Sequence, residues 1–285
     1  MEDFVKHTKD QDDNKSEKAR LSGQHEVLVD AMGGISKAVV APLDTSKSGL
    51  RILDSGTADG RWILDLDNFL SPFGVKHTYV GTDIDSNLYP SSPPSNISFQ
   101  NQSIREPFPE EWNGTFDLVH QRLVMAAAPP STILSVVERL MGLLKPGGWL
   151  QLMEADTTGS SEEIAGNGPA LKEFLRYPPL LSQAGGMGPN LARDLADTLK
   201  KVGMKNVGEE KVPSMHGAKN QNPKLKEKSI DSLCGAVPPL MMGVKMMLPH
   251  EYDEGKAGTL QARLRKELET QGGQTNILVV WGQKM

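Results

Sequence analysis

The sequence of 285 residues predicts an α/β fold built on a doubly wound sheet, and three observations carry that reading. Leu50, Ile52 and Leu53 form a short apolar run that reads as a buried strand and ends on Asp54. Gly56 and Gly60 follow four residues apart, and Trp62, Ile63, Leu64 and Leu66 then repeat at helical spacing. Thr78 to Asp83 repeats the theme, a second apolar run that closes on a carboxylate. A strand, a glycine turn and a helix in that order form a unit that cradles nucleotides, because glycine admits close backbone approach and a helix start offers unpaired N–H groups.

The remaining elements follow in chain order. Residues 1–17 are mostly charged and polar and read as a flexible tail, leaving 18–285 as one domain. From Lys18 a helical pattern runs through Leu21, His25, Leu28, Val29 and Met32 and stops at Gly33-Gly34. Residues 86–95 are rich in Pro and Ser and predict a loop, and Ile97 to Gln100 a short strand. Phe116 to Val119 reads as a buried strand with His120, Gln121 and Arg122 at its end. Ser131 to Lys145 reads as a helix, ended by Pro146-Gly147-Gly148, and Trp149 to Met153 as the next strand. Beyond it lie an apolar stretch from Leu171 to Leu181, a helix from Asn190 to Val202 and a strand from Val207 to Val212. A Met-rich segment at 214–249, a helix from Gly255 to Glu269 and a strand from Asn276 to Trp281 complete the chain.

The glycine pattern is Asp54-x-Gly56-x-Ala58-x-Gly60 and not the Gly-x-Gly-x-x-Gly of dinucleotide sites. A carboxylate two residues before the first glycine suits an amino-acid ammonium and would repel a pyrophosphate. Asp83 falls 23 residues after Gly60, where a ribose-binding acid belongs, and its oxygens can accept from both ribose hydroxyls. Ligands of open parallel sheets bind beyond the carboxyl ends of the strands, so His120 and Arg122 stand in the ligand layer. His120 is either a proton-transfer group or a satisfied residue beneath the ligand. Glu154 and Asp156 are either groups that orient or deprotonate a substrate or strand-end acids facing water.

Bulk properties narrow the function. The net charge of −5 argues against a nucleic-acid or anionic-membrane surface. Cys234 is the single cysteine, so neither a disulfide framework nor a cysteine zinc site is available, no metal is expected, and a reducing, cytoplasmic setting fits. No N-terminal apolar segment reads as a signal peptide, and no apolar run approaches 18 residues.

The stretch from Arg20 through "RLSGQHEVLVDAMGG", followed by "RILDSGTADGRWILDL" and later by "LLKPGGWLQLMEAD", resembles fungal class I S-adenosylmethionine (SAM) methyltransferases of secondary metabolism. The resemblance is to the group that includes gliotoxin-type N-methyltransferases and the velvet-associated methyltransferase-like regulator. It covers the chain from Lys18 and weakens after about residue 157. It implies a seven-stranded, Rossmann-like sheet with an antiparallel last strand, and a helical lid made of 18–34, 157–190 and 214–250. It implies SAM as cofactor, held by Asp54, Ser55, Gly56, Gly60, Asp83, Ile84, Ser103, Ile104 and His120, with Arg20 on the methionyl carboxylate. Ala58 stands where the family has its middle glycine, and Ser103 where it usually has an Asp against adenine. Arg20, Gln24 and His25 match the family's first helix. His25, His120 and Glu154 are the candidate bases, with His216 behind them.

The implied reaction is methyl transfer to a small-molecule secondary metabolite. An amide or amine nitrogen of a peptide-derived product comes first, a hydroxyl second. A regulatory protein that keeps the fold and binds partners, or a non-methylating rearrangement of a metabolite, are the alternatives from other classes.

Overall fold

The computed structural model describes residues 11–128, 133–158 and 165–285. Within them seven strands follow in chain order: β1 (Arg51–Ser55), β2 (Thr78–Asp83), β3 (Ile97–Asn101), β4 (Phe116–Arg122), β5 (Leu144–Asp156), β6 (Lys205–His216) and β7 (Gly273–Gln283). They form one sheet in the order β3-β2-β1-β4-β5-β7-β6. The first five pair in parallel, and β7 runs antiparallel between β5 and β6. The order reverses between β1 and β4, which puts the point where both halves of the sheet open to a ligand beside Asp54 and His120, paired in register.

Seven α-helices are described: α1 (Gln11–Ala31), α2 (Arg61–Leu70), α3 (Ile133–Leu143), α4 (Pro169–Ala184), α5 (Leu195–Lys201), α6 (Lys226–Met247) and α7 (Glu254–Thr270). Helix α2 shows why the local sequence folds this way. Trp62, Ile63, Leu66 and Leu70 recur at helical spacing and are buried against Ile52, Tyr79 and Leu118 of the sheet. The opposite face of the sheet packs on α3 and α5 through Val136, Val137, Leu140, Leu195 and Leu199. Helices α4, α6 and α7 share a separate apolar cluster that includes Leu171, Phe174, Ile230, Val237, Leu260 and Leu264.

Several boundaries differ from the sequence reading. Helix α1 already begins at Gln11, in a stretch whose early acids, Asp12 and Asp13, suit a helix N-terminus; residues 1–10 of the proposed tail lie outside the described residues. Strand β4 continues through His120 and Gln121 to Arg122, since parallel pairing with both β1 and β5 holds those residues in the sheet. Pro146-Gly147-Gly148 sits inside β5 at a register shift. The first residues of the segment 214–250 belong to β6, so only Lys226–Met247 of it is helical in α6. Ser131 and residues 159–164 of the second lid segment lie outside the described residues.

Candidate active site

The turn after β1 is built from left-handed residues. Gly56, Ala58 and Gly60 have φ of 74°, 52° and 73°, a conformation that glycine adopts freely and alanine at a cost of roughly 1–2 kcal/mol. A Cβ on Gly56 would come within 2.2 Å of Val124 Cγ2, and one on Gly60 within 2.5 Å of the Phe99 ring. The glycines are therefore required by protein side chains as well as by any ligand: Val124 covers one end of the turn and Phe99 underlies the other. The turn is tied to the next strand by two backbone bonds, from Gly56 N–H and Thr57 N–H to the Thr82 carbonyl.

Asp54 faces inward. One oxygen accepts from His120 Nδ1 at 2.8 Å and the other from Thr57 Oγ1 at 2.7 Å, all of them buried. Burial alone would raise the Asp54 carboxyl; the bonds from His120 and Thr57 outweigh it and hold the acid low. Burial likewise depresses His120, against the pull of Asp54. The pair is thus a carboxylate and a neutral imidazole with its proton on Nδ1. The His120 ring stacks on Trp62, 3.9 Å between centroids and 6° from parallel, and its buried Nε2 has no hydrogen-bond partner. Asp54 braces the turn from beneath with both oxygens occupied. Ser55 is also buried, donating to Gln121 Oε1 at 3.2 Å.

Asp83 stands at the end of β2, partly exposed. One oxygen accepts from Ala58 N–H at 2.9 Å and the other from Asp85 N–H at 3.1 Å. Each oxygen keeps a lone pair for a hydroxyl donor. Burial raises its pKa and the backbone bonds partly restore it. Tyr89 locks the strand end, its hydroxyl accepting from Asp83 N–H at 2.8 Å and donating toward the Gln100 carbonyl at 2.8 Å. Ile84, 48 % exposed, presents an apolar face beside it. Ser103 Oγ accepts from Arg105 N–H at 3.2 Å, while the Ile104 side chain is buried in the core beneath. Asp54, Ser55, Gly56, Gly60, Asp83, Ile84, Ser103 and Ile104 all lie on β1, β2, the end of β3 or the turns that leave them.

The first helix divides its matching residues. His25, 1 % exposed, sits between two elements: its Nε2 lies 3.1 Å from Asp65 Oδ2 on α2, and its Nδ1 lies 3.3 Å from both terminal nitrogens of Arg122 on β4. Burial lowers its pKa, with Asp65 opposing and Arg122 assisting. A neutral ring that accepts from Arg122 and donates to Asp65 has no nitrogen left for a substrate. Arg20 is elsewhere. It pairs with Glu17 of its own helix at 2.8 Å, and its stem lies where a Cβ on Gly235 of α6 would stand. Helical geometry explains the split, since residues five apart point 140° from each other.

Glu154 is fully committed on one oxygen: Oε1 accepts from Val124 N–H at 2.9 Å and Met125 N–H at 2.8 Å. It positions the loop that covers Gly56. Burial pushes its pKa up to about 7, the two N–H groups opposing. Asp156, also buried, takes Arg193 in a two-point contact at 3.0 Å each. Thr57, Asp65, Tyr89 and Val124 were not singled out by sequence, and Trp62 only as an apolar position of the helix after the turn; among the first four, Tyr89, an aromatic within a Pro/Ser loop, carried a hint.

Beside this site, under α1 and beyond the ends of β5, β6 and β7, lies a cavity of about 230 Å³. Gln24 and Leu28 of α1, Leu123, Leu175 of α4 and Ala236 of α6 are among its walls. Leu123 has φ of 56°, uncommon for a residue with a branched side chain. Among the described residues no cluster of side chains suits a metal ion, and no helix is long and apolar enough to cross a membrane.

Comparison with known proteins gives the family. The family model for a methyltransferase domain matches residues 30–209. Methyltransferase psoC of Aspergillus fumigatus is 37% identical, with 100% of each chain covered. N-methyltransferase sirN of Leptosphaeria maculans is 36% identical over 96% of this chain and 93% of its own. N-methyltransferase gliN of Aspergillus fumigatus is 32% identical over 94% and 93%.

Proposed function

The chain belongs to the methyltransferase family, and from that premise we propose that it transfers a methyl group from SAM to a nitrogen of a small fungal secondary metabolite, an amide or amine of a peptide-derived product, in the cytoplasm. The names of two of the relatives, N-methyltransferases, support nitrogen over oxygen. The single observation that carries SAM dependence is Asp83, held at a strand end by Ala58 N–H of the glycine turn with lone pairs still open.

The residues present fit the cofactor. Asp83 would accept the ribose hydroxyls, Ile84 would flank the base, and the turn from Gly56 to Gly60 would run beneath the methionyl part. When bound, SAM supplies an activated methyl group on a sulfonium. What remains for the protein is to place the acceptor in line and exclude water. Asp54, Thr57, Trp62 and His120 keep the turn in its left-handed form. His25 ties α1 to the end of β4 through Arg122 and to α2 through Asp65, and α1, with α4 and α6, acts as a lid over the reacting atoms. Incubation with SAM and a panel of peptide-derived metabolites tests the reading: release of S-adenosylhomocysteine with an N-methylated product is expected, and methylation only at hydroxyls would overturn the nitrogen assignment.

A further inference from the structure

The cavity under α1 holds two buried polar atoms that the arrangement above does not use. Ser214 and His216 lie two apart on β6, so both side chains point to the same face of the sheet. They are 1 % and 4 % exposed, and both line the cavity. Ser214 Oγ has no hydrogen-bond partner, and neither does His216 Nδ1. His216 Nε2 is fixed by Thr275 Oγ1 at 2.8 Å, and Thr275 stands directly opposite Ser214 on β7. Buried polar atoms are nearly always paired, and leaving one unpaired costs about 1–3 kcal/mol. Two residues of one cavity wall, each with such an atom and on the same face of one strand, mark a place for a polar group of a ligand.

Charge narrows what that group is. Asp156 and His216 are the titratable residues among the cavity walls. Asp156 is neutralised by its two-point contact with Arg193. Burial holds His216 down to about 4, a backbone group of Ser229 offsetting this in part, so the ring is neutral at physiological pH. The other walls are mainly aliphatic. The cavity also adjoins the cofactor turn: Leu123 lines it, while the next residue, Val124, covers Gly56. Gln24 and His25 repeat this on α1, one facing the cavity and the other the strand ends.

We propose that this cavity is the acceptor pocket, and that Ser214 and His216 select a neutral, largely apolar molecule by hydrogen-bonding an amide-like group, one atom donating and the other accepting. This rests on the methyl-transfer reading above. A hydroxyl and a neutral imidazole nitrogen complement a carbonyl and its N–H, whereas an ammonium or carboxylate would enter without a counter-charge and at heavy desolvation cost.

The test uses three probes of one size, benzamide, benzoate and benzylamine, titrated by ligand-observed NMR into the full chain with S-adenosylhomocysteine. Benzamide is expected to bind at least tenfold more tightly than either charged probe. Ser214→Ala should weaken benzamide about five- to tenfold, and Ala236→Phe, which fills the cavity, should abolish its binding. Neither variant should move the affinity for S-adenosylhomocysteine, measured by calorimetry, by more than twofold. Equal binding of benzoate, no binding of benzamide, or unchanged benzamide binding in both variants overturns the pocket assignment while cofactor binding stands. Failure of S-adenosylhomocysteine to bind the wild type overturns the methyl-transfer reading instead, and the acceptor role with it.

Discussion

Asp54 and His120 face each other across β1 and β4 and share a buried hydrogen bond of 2.8 Å beneath the glycine turn. Removing the acid strands both the His120 Nδ1–H and the Thr57 hydroxyl. Asp54→Ala should therefore lower stability by about 2–3 kcal/mol, the scale for losing a charge-assisted bond inside a protein. Asp54→Asn keeps an acceptor for His120 and should lose less. Urea unfolding of the three proteins gives the comparison; equal midpoints for wild type and Asp54→Ala would show that the pair does not brace the turn.

Gly56 and Val124 form a second testable pair. Gly56→Ala sets a methyl carbon against Val124 Cγ2 and forces alanine into a left-handed backbone. SAM affinity should fall more than tenfold. Val124→Ala removes the opposing methyl and should restore part of it, leaving the backbone cost of roughly 1–2 kcal/mol. A double-mutant cycle by calorimetry checks this, and strictly additive losses would contradict the contact.

Asp83→Ala should weaken SAM binding by about 1–3 kcal/mol, the range for hydrogen bonds to a charged acceptor. Calorimetry on the folded variant decides it. An unchanged dissociation constant would remove Asp83 from the cofactor site.

Glu154 gives a pH dependence with a definite sign. Its folded pKa is raised to about 7 from an ordinary 4.5. Above 4.5 the unfolded chain releases the proton that the folded chain still holds, so this residue's share of stability is complete below pH 4.5 and falls as pH rises to about 7. The loss is up to about 3 kcal/mol at 1.36 kcal/mol per unit. Glu154→Gln cannot ionise and keeps an acceptor for Val124 and Met125 N–H. Relative to wild type it should become more stable as pH rises from about 4.5 to about 7 and level off above that. A difference that stays constant with pH would show that Glu154 titrates normally.

The polar residues of α1 separate two roles for that helix. His25→Ala breaks the link to Asp65 and Arg122 and should reduce turnover while leaving most of the sheet's stability. Arg20→Ala removes a partly exposed pair within one helix and should cost less than about 1 kcal/mol, since such pairs contribute little. A large loss of SAM affinity in Arg20→Ala would return that residue to the methionyl carboxylate.

The sheet and its ligand edge were legible because their signals are local. Leu50 to Asp54 and Thr78 to Asp83 each carry an apolar run, a terminal acid and a nearby turn within a dozen residues. The inward aim of Asp54 was not legible, since it depends on His120, 66 residues later, and on Trp62 closing over the ring. Arg20 and His25, five apart on one helix, already point about 140° from each other by spacing alone; what the spacing does not report is that α6 lies on one side of that helix and β4 on the other. The resemblance marked out the lid segments that supply Gln24, Leu175, Ser214 and Ala236, but not the cavity they enclose. Gln24, Leu123, Leu175, Ser214 and Ala236 meet only through the crossing of α1, α4 and α6 over the sheet, and no period within any one segment reports such a crossing.

Two of the polar partners of α1 come from the far end of the chain. Lys228 reaches Glu26 across 202 residues, and Asn222 reaches Asp30 at 3.1 Å across 192. On the ribosome the first helix is finished long before α6 exists, so it must wait, with Val27 and Leu28 uncovered, until the last third of the protein arrives. A contact that closes so long a stretch of chain forms late, because its entropy must be met before the contact returns anything. The same order run backwards is expected to let α1 lift early when the native protein opens locally. Its amides should exchange with solvent by a route that leaves β1 and β4 protected, which gives the buried space beneath it an entrance that does not require the sheet to unfold.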